Sequence, residues 1–209
     1  MQGMGNFLAR HGYVAFSVDY RLMRTARTHG WLSSTTCSVP CAGYAPTRQS
    51  TNDIGAFGHS AGGQLAALLG MEDTRDNSDH TLANYSSRVQ AVVDFSGPPD
   101  FTAMHDPERI AFLTQFLNAD YAKSPQAWRK CLARLPRCKD RRAIPHPAWH
   151  SGSKCLYEAE RVIRKLQAAG VPVSLIKVND VHTFRTPEAR RQLAIETLEF
   201  FNHDLMAGK

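Results

Sequence analysis

Two side chains in this sequence have the types and settings that acyl chemistry requires. Ser60 lies in Gly58-His59-Ser60-Ala61-Gly62-Gly63. That G-x-S-x-G spacing is the nucleophile elbow, a sharp strand-to-helix turn that presents a hydroxyl at the top of a sheet. So tight a turn predicts that Gly58 and Gly62, two residues before and two after the serine, must lack bulky side chains. A serine hydroxyl is a weak nucleophile until a base takes its proton. His182, in Asn179-Asp180-Val181-His182-Thr183-Phe184, sits where that base is needed, between a strand-like and a helix-like segment. With both in reach, Ser60 attacks an acyl carbonyl, and His182 takes its proton and later hands it to the leaving alcohol. The backbone N–H of Ala61, just after the nucleophile, is the expected donor of half an oxyanion hole. His59 is read as shaping the turn. Asp19, Asp94 and Asp100 are read as capping and turn residues at strand ends and loop starts.

The elements that must position these groups are legible around them. Ile54 to Phe57 reads as a short buried strand, and Gln64 to Met71 as a helix packed on a sheet. Leu8 to Leu22 reads as a helix running into a strand, and Ala91 to Thr102 as a strand and the loop after it. Leu156 to Val178 predicts an amphipathic helix, a stop at Gly170 and a strand over Val173 to Val178. A last helix runs from Pro187, a proline suited to a first turn, to about Leu205. Phe101 to Tyr121, with Phe112, Leu113, Phe116 and Leu117, predicts either a lid helix over an acyl pocket or an ordinary core helix. Alternating strands and helices predict an α/β fold with a doubly wound parallel sheet. A length of 209 residues predicts one domain spanning 1–209.

Taken together, the elbow, the Leu8–Leu22 and Ala91–Thr102 stretches and the histidine loop resemble the α/β-hydrolase esterase/lipase family. The similarity is greatest to its hormone-sensitive-lipase-like and acetyl-xylan-esterase-like branch. The resemblance implies a carboxylic-ester hydrolase that works through an acyl-enzyme on Ser60, with His182 as base. It implies a small-molecule ester as substrate, and neither cofactor nor metal. A peptidase on the same fold is a close variant, because elbow and histidine are shared.

Two parts that the resemblance implies are not found. The family's further oxyanion donors lie in a His-Gly-Gly-Gly loop after its third strand, and Met1 stands in the helix beyond that point. The triad acid belongs in a segment resembling His-Gly-x-x-Asp-x-x-Val-Pro. In its place stands Ala143 to Cys155, which holds no carboxylate. Pro145 and Pro147 also argue against a strand there. Loss of the acid costs about 10⁴ in kcat, so a catalytically inactive remnant is the alternative expectation.

Composition singles out the same region and one other. All five cysteines (Cys37, Cys41, Cys131, Cys138 and Cys155) lie in Leu32–Gln49 or Trp128–Cys155. Without these two blocks the chain holds 16 basic and 18 acidic residues, and its balance turns from +6 to −2. Neither block shows helical or strand periodicity. The genetic code offers a reason. Read one base early, the codons of Leu32 to Gln49 permit an amphipathic helix. Read one base late, those of Ala143 to His150 permit a buried strand running into His-Gly, with an aspartate at the Gly152/Ser153 overlap. The expectation is a sequence translated across paired frameshifts, with a late start codon.

The remaining signals point away from other classes. The positive charge is concentrated in Arg129 to Arg142, without interleaved aromatics or a nucleic-acid motif, so no nucleic-acid partner is expected. An odd cysteine count and no CxxC spacing speak against a disulfide framework or a zinc site. Pro147 spoils the helix on which His146 and His150 could share a metal. No stretch of 18 apolar residues offers a membrane span. No signal peptide is visible at Met1, which makes a cytoplasmic setting the default expectation.

Overall fold

The computed structural model describes residues 2–20, 54–71, 80, 86–98, 106–117, 120, 122–125, 146–150 and 154–206. The sheet begins where the apolar run before the elbow predicts it. Strand β1 (Gly55–His59) pairs in parallel with β2 (Ala91–Phe95), from Gly55 opposite Ala91 to His59 opposite Phe95. All five residues of β2 are buried, as expected for a strand covered on both faces.

Alternation along β2 divides the core in two. Val92 packs with Leu65, Leu68, Val162 and Leu166, which come from helices α2 (Ala61–Met71) and α4 (Lys154–Ala168). Ala91, Val93 and Phe95 pack instead with Leu8 of α1 (Gln2–Arg10) and with Leu193 and Phe201 of α5 (Pro187–Met206). Successive side chains of a strand face opposite ways, so two helices cover each face. That is the doubly wound α/β arrangement. Helix α2 is apolar almost all round and buries eight of its eleven residues, as a helix enclosed on every side must.

The second ladder supplies the other half of the site. Strand β3 (His146–His150) pairs in parallel with β4 (Leu175–Val178), from His146 opposite Leu175 to His150 opposite Val178. This corrects the expectation that prolines exclude a strand here. The register slips between Pro147 and Trp149, and that irregularity accommodates the residue that has no N–H to donate. Strand β3 also lies beside β2, but among the described residues no ladder joins the two. The sheet therefore has a seam between β2 and β3.

Helix α4 ends as predicted. Gly170 takes a φ of 73°, and the N–H of Val171 bonds the Leu166 carbonyl at 3.0 Å. Among the described residues, the strand expected after α1 is absent. Residues 13–20 form no ladder with the other described residues, and Val14 and Phe16 stand 69% and 62% exposed. Apolar alternation makes a strand only where another strand accepts its backbone bonds. Helix α3 (Pro107–Leu117) buries Leu113 and Leu117, while Phe112 is exposed and stacks on Phe116 at 6.1 Å. The block Leu32–Gln49 lies outside the described residues, as does most of Trp128–Cys155.

Candidate active site

Ser60 occupies the single left-handed residue between β1 and α2, with φ 56°. Its N–H donates to the Phe95 carbonyl at 2.8 Å, which carries the β1–β2 ladder one residue past the strand. Its carbonyl accepts the Gln64 N–H at 3.1 Å and so begins α2. A non-glycine residue held at positive φ is a strained one, and here both neighbouring elements impose the strain.

The glycines play different parts from those the motif predicts. A side chain at Gly58 would strike the backbone of Gly62, so Gly58 is obligatory, as expected. A side chain at Gly62 would meet open space, which corrects the expectation for that position. The crowded position is Gly63, whose Cβ would collide with Oδ1 of Asp94. Asp94 is wholly buried behind the elbow, and its Oδ1 accepts the Gly97 N–H at 2.6 Å. It is a turn residue, as its position at a strand end predicts.

His182 reaches the elbow serine. The Ser60 hydroxyl and His182 Nε2 are 3.0 Å apart, although the two residues lie far apart in sequence. The parallel ladders explain the meeting: β1 and β4 end at one edge of the sheet, and each is followed directly by its functional loop. Ala61 is the first residue of α2 and is exposed, so its N–H belongs to the helix's first turn, whose amides find no partner within the helix.

Contacts of Asp180, Phe184 and His59 shape the histidine loop. Asp180 Oδ2 accepts the Thr186 N–H at 2.8 Å and its hydroxyl at 2.7 Å, while Oδ1 accepts the Val181 N–H at 2.6 Å. Thr186 in turn caps α5 through the Ala189 N–H at 3.3 Å. Phe184 is buried at a φ of 48°, and its carbonyl accepts Nε–H of Arg190 at 2.7 Å. His59 Nε2 lies 2.6 Å from the His182 carbonyl, and the two imidazole rings are 4.9 Å apart. No feature of the sequence signalled that last contact.

Thr186, through its N–H first and its hydroxyl next, holds the Asp180 carboxyl down to about 2 from its ordinary 3.8. A depressed carboxylate stabilises the fold fully above its ordinary value and loses that contribution as pH falls through the depressed one. Asp180→Asn should therefore lower the thermal midpoint near neutral pH. The gap to the parent should close on acidification from about pH 4 toward pH 2, which thermal melts across that range will check.

A cavity of about 630 Å³ adjoins the loop, walled by His59, Met4, Phe7, Phe95, Phe184 and Leu193. Among the described residues, no group of three or more His, Cys, Asp or Glu side chains is placed to hold a metal, and no helix is long and apolar enough to cross a membrane.

A doubly wound sheet, a serine on a left-handed strand-to-helix turn and a histidine on the loop after a later parallel strand define an α/β hydrolase. Comparison with protein families carries this further. The family model described as BD-FAE matches residues 1–133, more than half of the sequence. The chain belongs to the BD-FAE family, whose members are α/β-hydrolase esterases. The match stops inside the compositionally distinct block 128–155.

No curated protein sequence matches the chain. Solved structures share the fold. A thermophilic esterase from Thermogutta terrifontis, Est2 with propionate bound, superposes with a TM-score of 0.74 at 18% identity, over 97% of this chain and 76% of its own. Esterase B from Lactobacillus rhamnosis, inhibited by a tributyrin phosphonate, gives 0.70 at 14% identity over 98% and 70%. A truncated carbohydrate esterase from gut microbiota gives 0.66 at 19% identity over 91% and 73%.

Proposed function

We propose that this chain is a serine hydrolase of the esterase type, which cleaves carboxylic esters through an acyl-enzyme on Ser60. The 3.0 Å contact between the Ser60 hydroxyl and His182 Nε2 carries the reading. In the first step His182 takes the hydroxyl proton as Oγ adds to the ester carbonyl. The Ala61 N–H supports the negative oxygen that forms. The imidazolium then protonates the departing alcohol, and a water activated by the same histidine frees the acid. The fold-mates bound to propionate and to a tributyrin phosphonate support a small-molecule ester as substrate.

The test is covalent. Diethyl p-nitrophenyl phosphate should release one equivalent of p-nitrophenol per chain and leave a diethylphosphoryl adduct on the peptide that carries Ser60. Mass spectrometry showing no adduct, or one on another residue, overturns the assignment.

A second reading is favoured by the absence of any carboxylate from Ala143 to Cys155. A Ser–His pair without its acid turns over about 10⁴-fold more slowly than a full triad. We propose that Leu32–Gln49 and Trp128–Cys155 are translated out of frame, within what is otherwise one α/β-hydrolase domain over 1–209. Sequencing the coding DNA across both blocks should reveal compensating single-base changes at their edges. A reading frame that stands as written makes the chain a weakened hydrolase in its own right.

A further inference from the structure

We propose that His59 is a positioning residue that ties the base to the nucleophile's own turn. The proposal rests on the reading of Ser60 and His182 given above.

His59 Nε2 lies 2.6 Å from the backbone oxygen of His182. A carbonyl only accepts, so Nε2 carries the hydrogen and the bond runs from the elbow to the histidine loop. The donor is the residue immediately before Ser60, and the acceptor belongs to the base itself. One hydrogen bond therefore links the two reacting residues through adjacent backbone. Ser60 is already held by its N–H bond to Phe95 and by the start of α2.

His182 is exposed, in contrast to buried Phe184 two residues on. Asp180 anchors the loop on one side and Phe184 on the other, and the His59 bond falls between them. The His59 ring also sets its edge against Phe184 at 5.7 Å and lies 4.9 Å from the His182 ring. Without the donor, the loop keeps both anchors but loses the bond that ties the residue between them to the nucleophile's turn.

That loss falls on the geometry of proton transfer rather than on substrate binding. Misplacing a catalytic group by about 1 Å can cost roughly 10²-fold. His59→Phe keeps a ring beside Phe184 and removes the donor. His59→Gln places a side-chain N–H at a similar reach. We expect His59→Phe to lower kcat on p-nitrophenyl acetate by about 10- to 100-fold, with KM and thermal midpoint close to the parent. The rate of labelling by diethyl p-nitrophenyl phosphate should fall in step, and His59→Gln should restore most of both rates. Should His59→Phe fail to fold, His59→Leu, which also lacks a donor, takes its place in the comparison.

Parent-like rates in the donor-less variant, or equal losses in His59→Gln and His59→Phe, overturn the proposal. Ser60→Ala, assayed alongside, separates the two levels. Labelling that survives in Ser60→Ala removes the Ser60 assignment itself. Labelling lost in Ser60→Ala but unchanged in His59→Phe removes only the role of His59.

Discussion

Ser60→Ala should abolish organophosphate labelling and lower ester turnover by about 10²-fold, a far smaller fall than serine hydrolases ordinarily show. In a complete triad, loss of the serine costs about 2 × 10⁶ in kcat, and loss of the acid alone about 3 × 10⁴. The effects of such residues are not additive, because they act as one unit. A serine and histidine that lack their acid therefore retain only about 10² between them. The sequence from Ala143 to Cys155 has no carboxylate to complete the unit. The size of the fall is thus as informative as its direction. Steady-state kinetics showing a loss near 10⁶ would mean that an acid from elsewhere in the chain serves His182. No loss at all would mean that Ser60 is not the nucleophile.

Supplying the acid should have the opposite and larger effect. Strand β3 ends at His150, level with Val178 at the end of β4, and His182 follows Val178 by four residues. Positions 152 and 153 lie between His150 and Lys154, where α4 begins. Because β3 and β4 run parallel, both end at the same edge of their ladder, the edge that the histidine loop follows. Gly152→Asp or Ser153→Asp should therefore raise kcat, by up to about 10⁴-fold where the new oxygen meets the imidazole. The histidine gains from such a partner in two ways. Its tautomer becomes the one that leaves Nε2 free to take the serine proton, and the imidazolium formed during reaction is stabilised. The gain must vanish when Ser60→Ala is added to the same chain. If kcat rises less than tenfold in both variants, the missing carboxylate is not what limits this site.

The parts legible in the sequence were those written in local pattern. The elbow could be read because a strand, a left-handed serine and an apolar helix follow one another without interruption from Gly55 to Met71. Helix α5 announced itself through Pro187, and α4 through its amphipathic period and Gly170. What escaped was decided by partners distant in the chain. Gly62 and Gly63 are equivalent as letters, yet only Gly63 faces the Asp94 carboxylate, more than thirty residues on. Pro147 counted against β3 as a residue that cannot donate, but a ladder on one side and a slipped register accommodate it. Val14, Phe16 and Val18 alternate as a strand should, yet the fold leaves them exposed. The bond from His59 to the His182 carbonyl depends on two loops meeting above a sheet edge, and no period or motif encodes it.

The seam between β2 and β3 bears on how such a catalyst could lose its activity. Ser60 follows a strand of one ladder, and His182 follows a strand of the other. Among the described residues, no strand pairing joins the two ladders. What holds one half against the other is the packing both share, with Val92 clustered with Leu166 on one face and Val93 with Val178 on the other. A substitution that thins this packing should misalign Ser60 and His182 before it breaks either ladder.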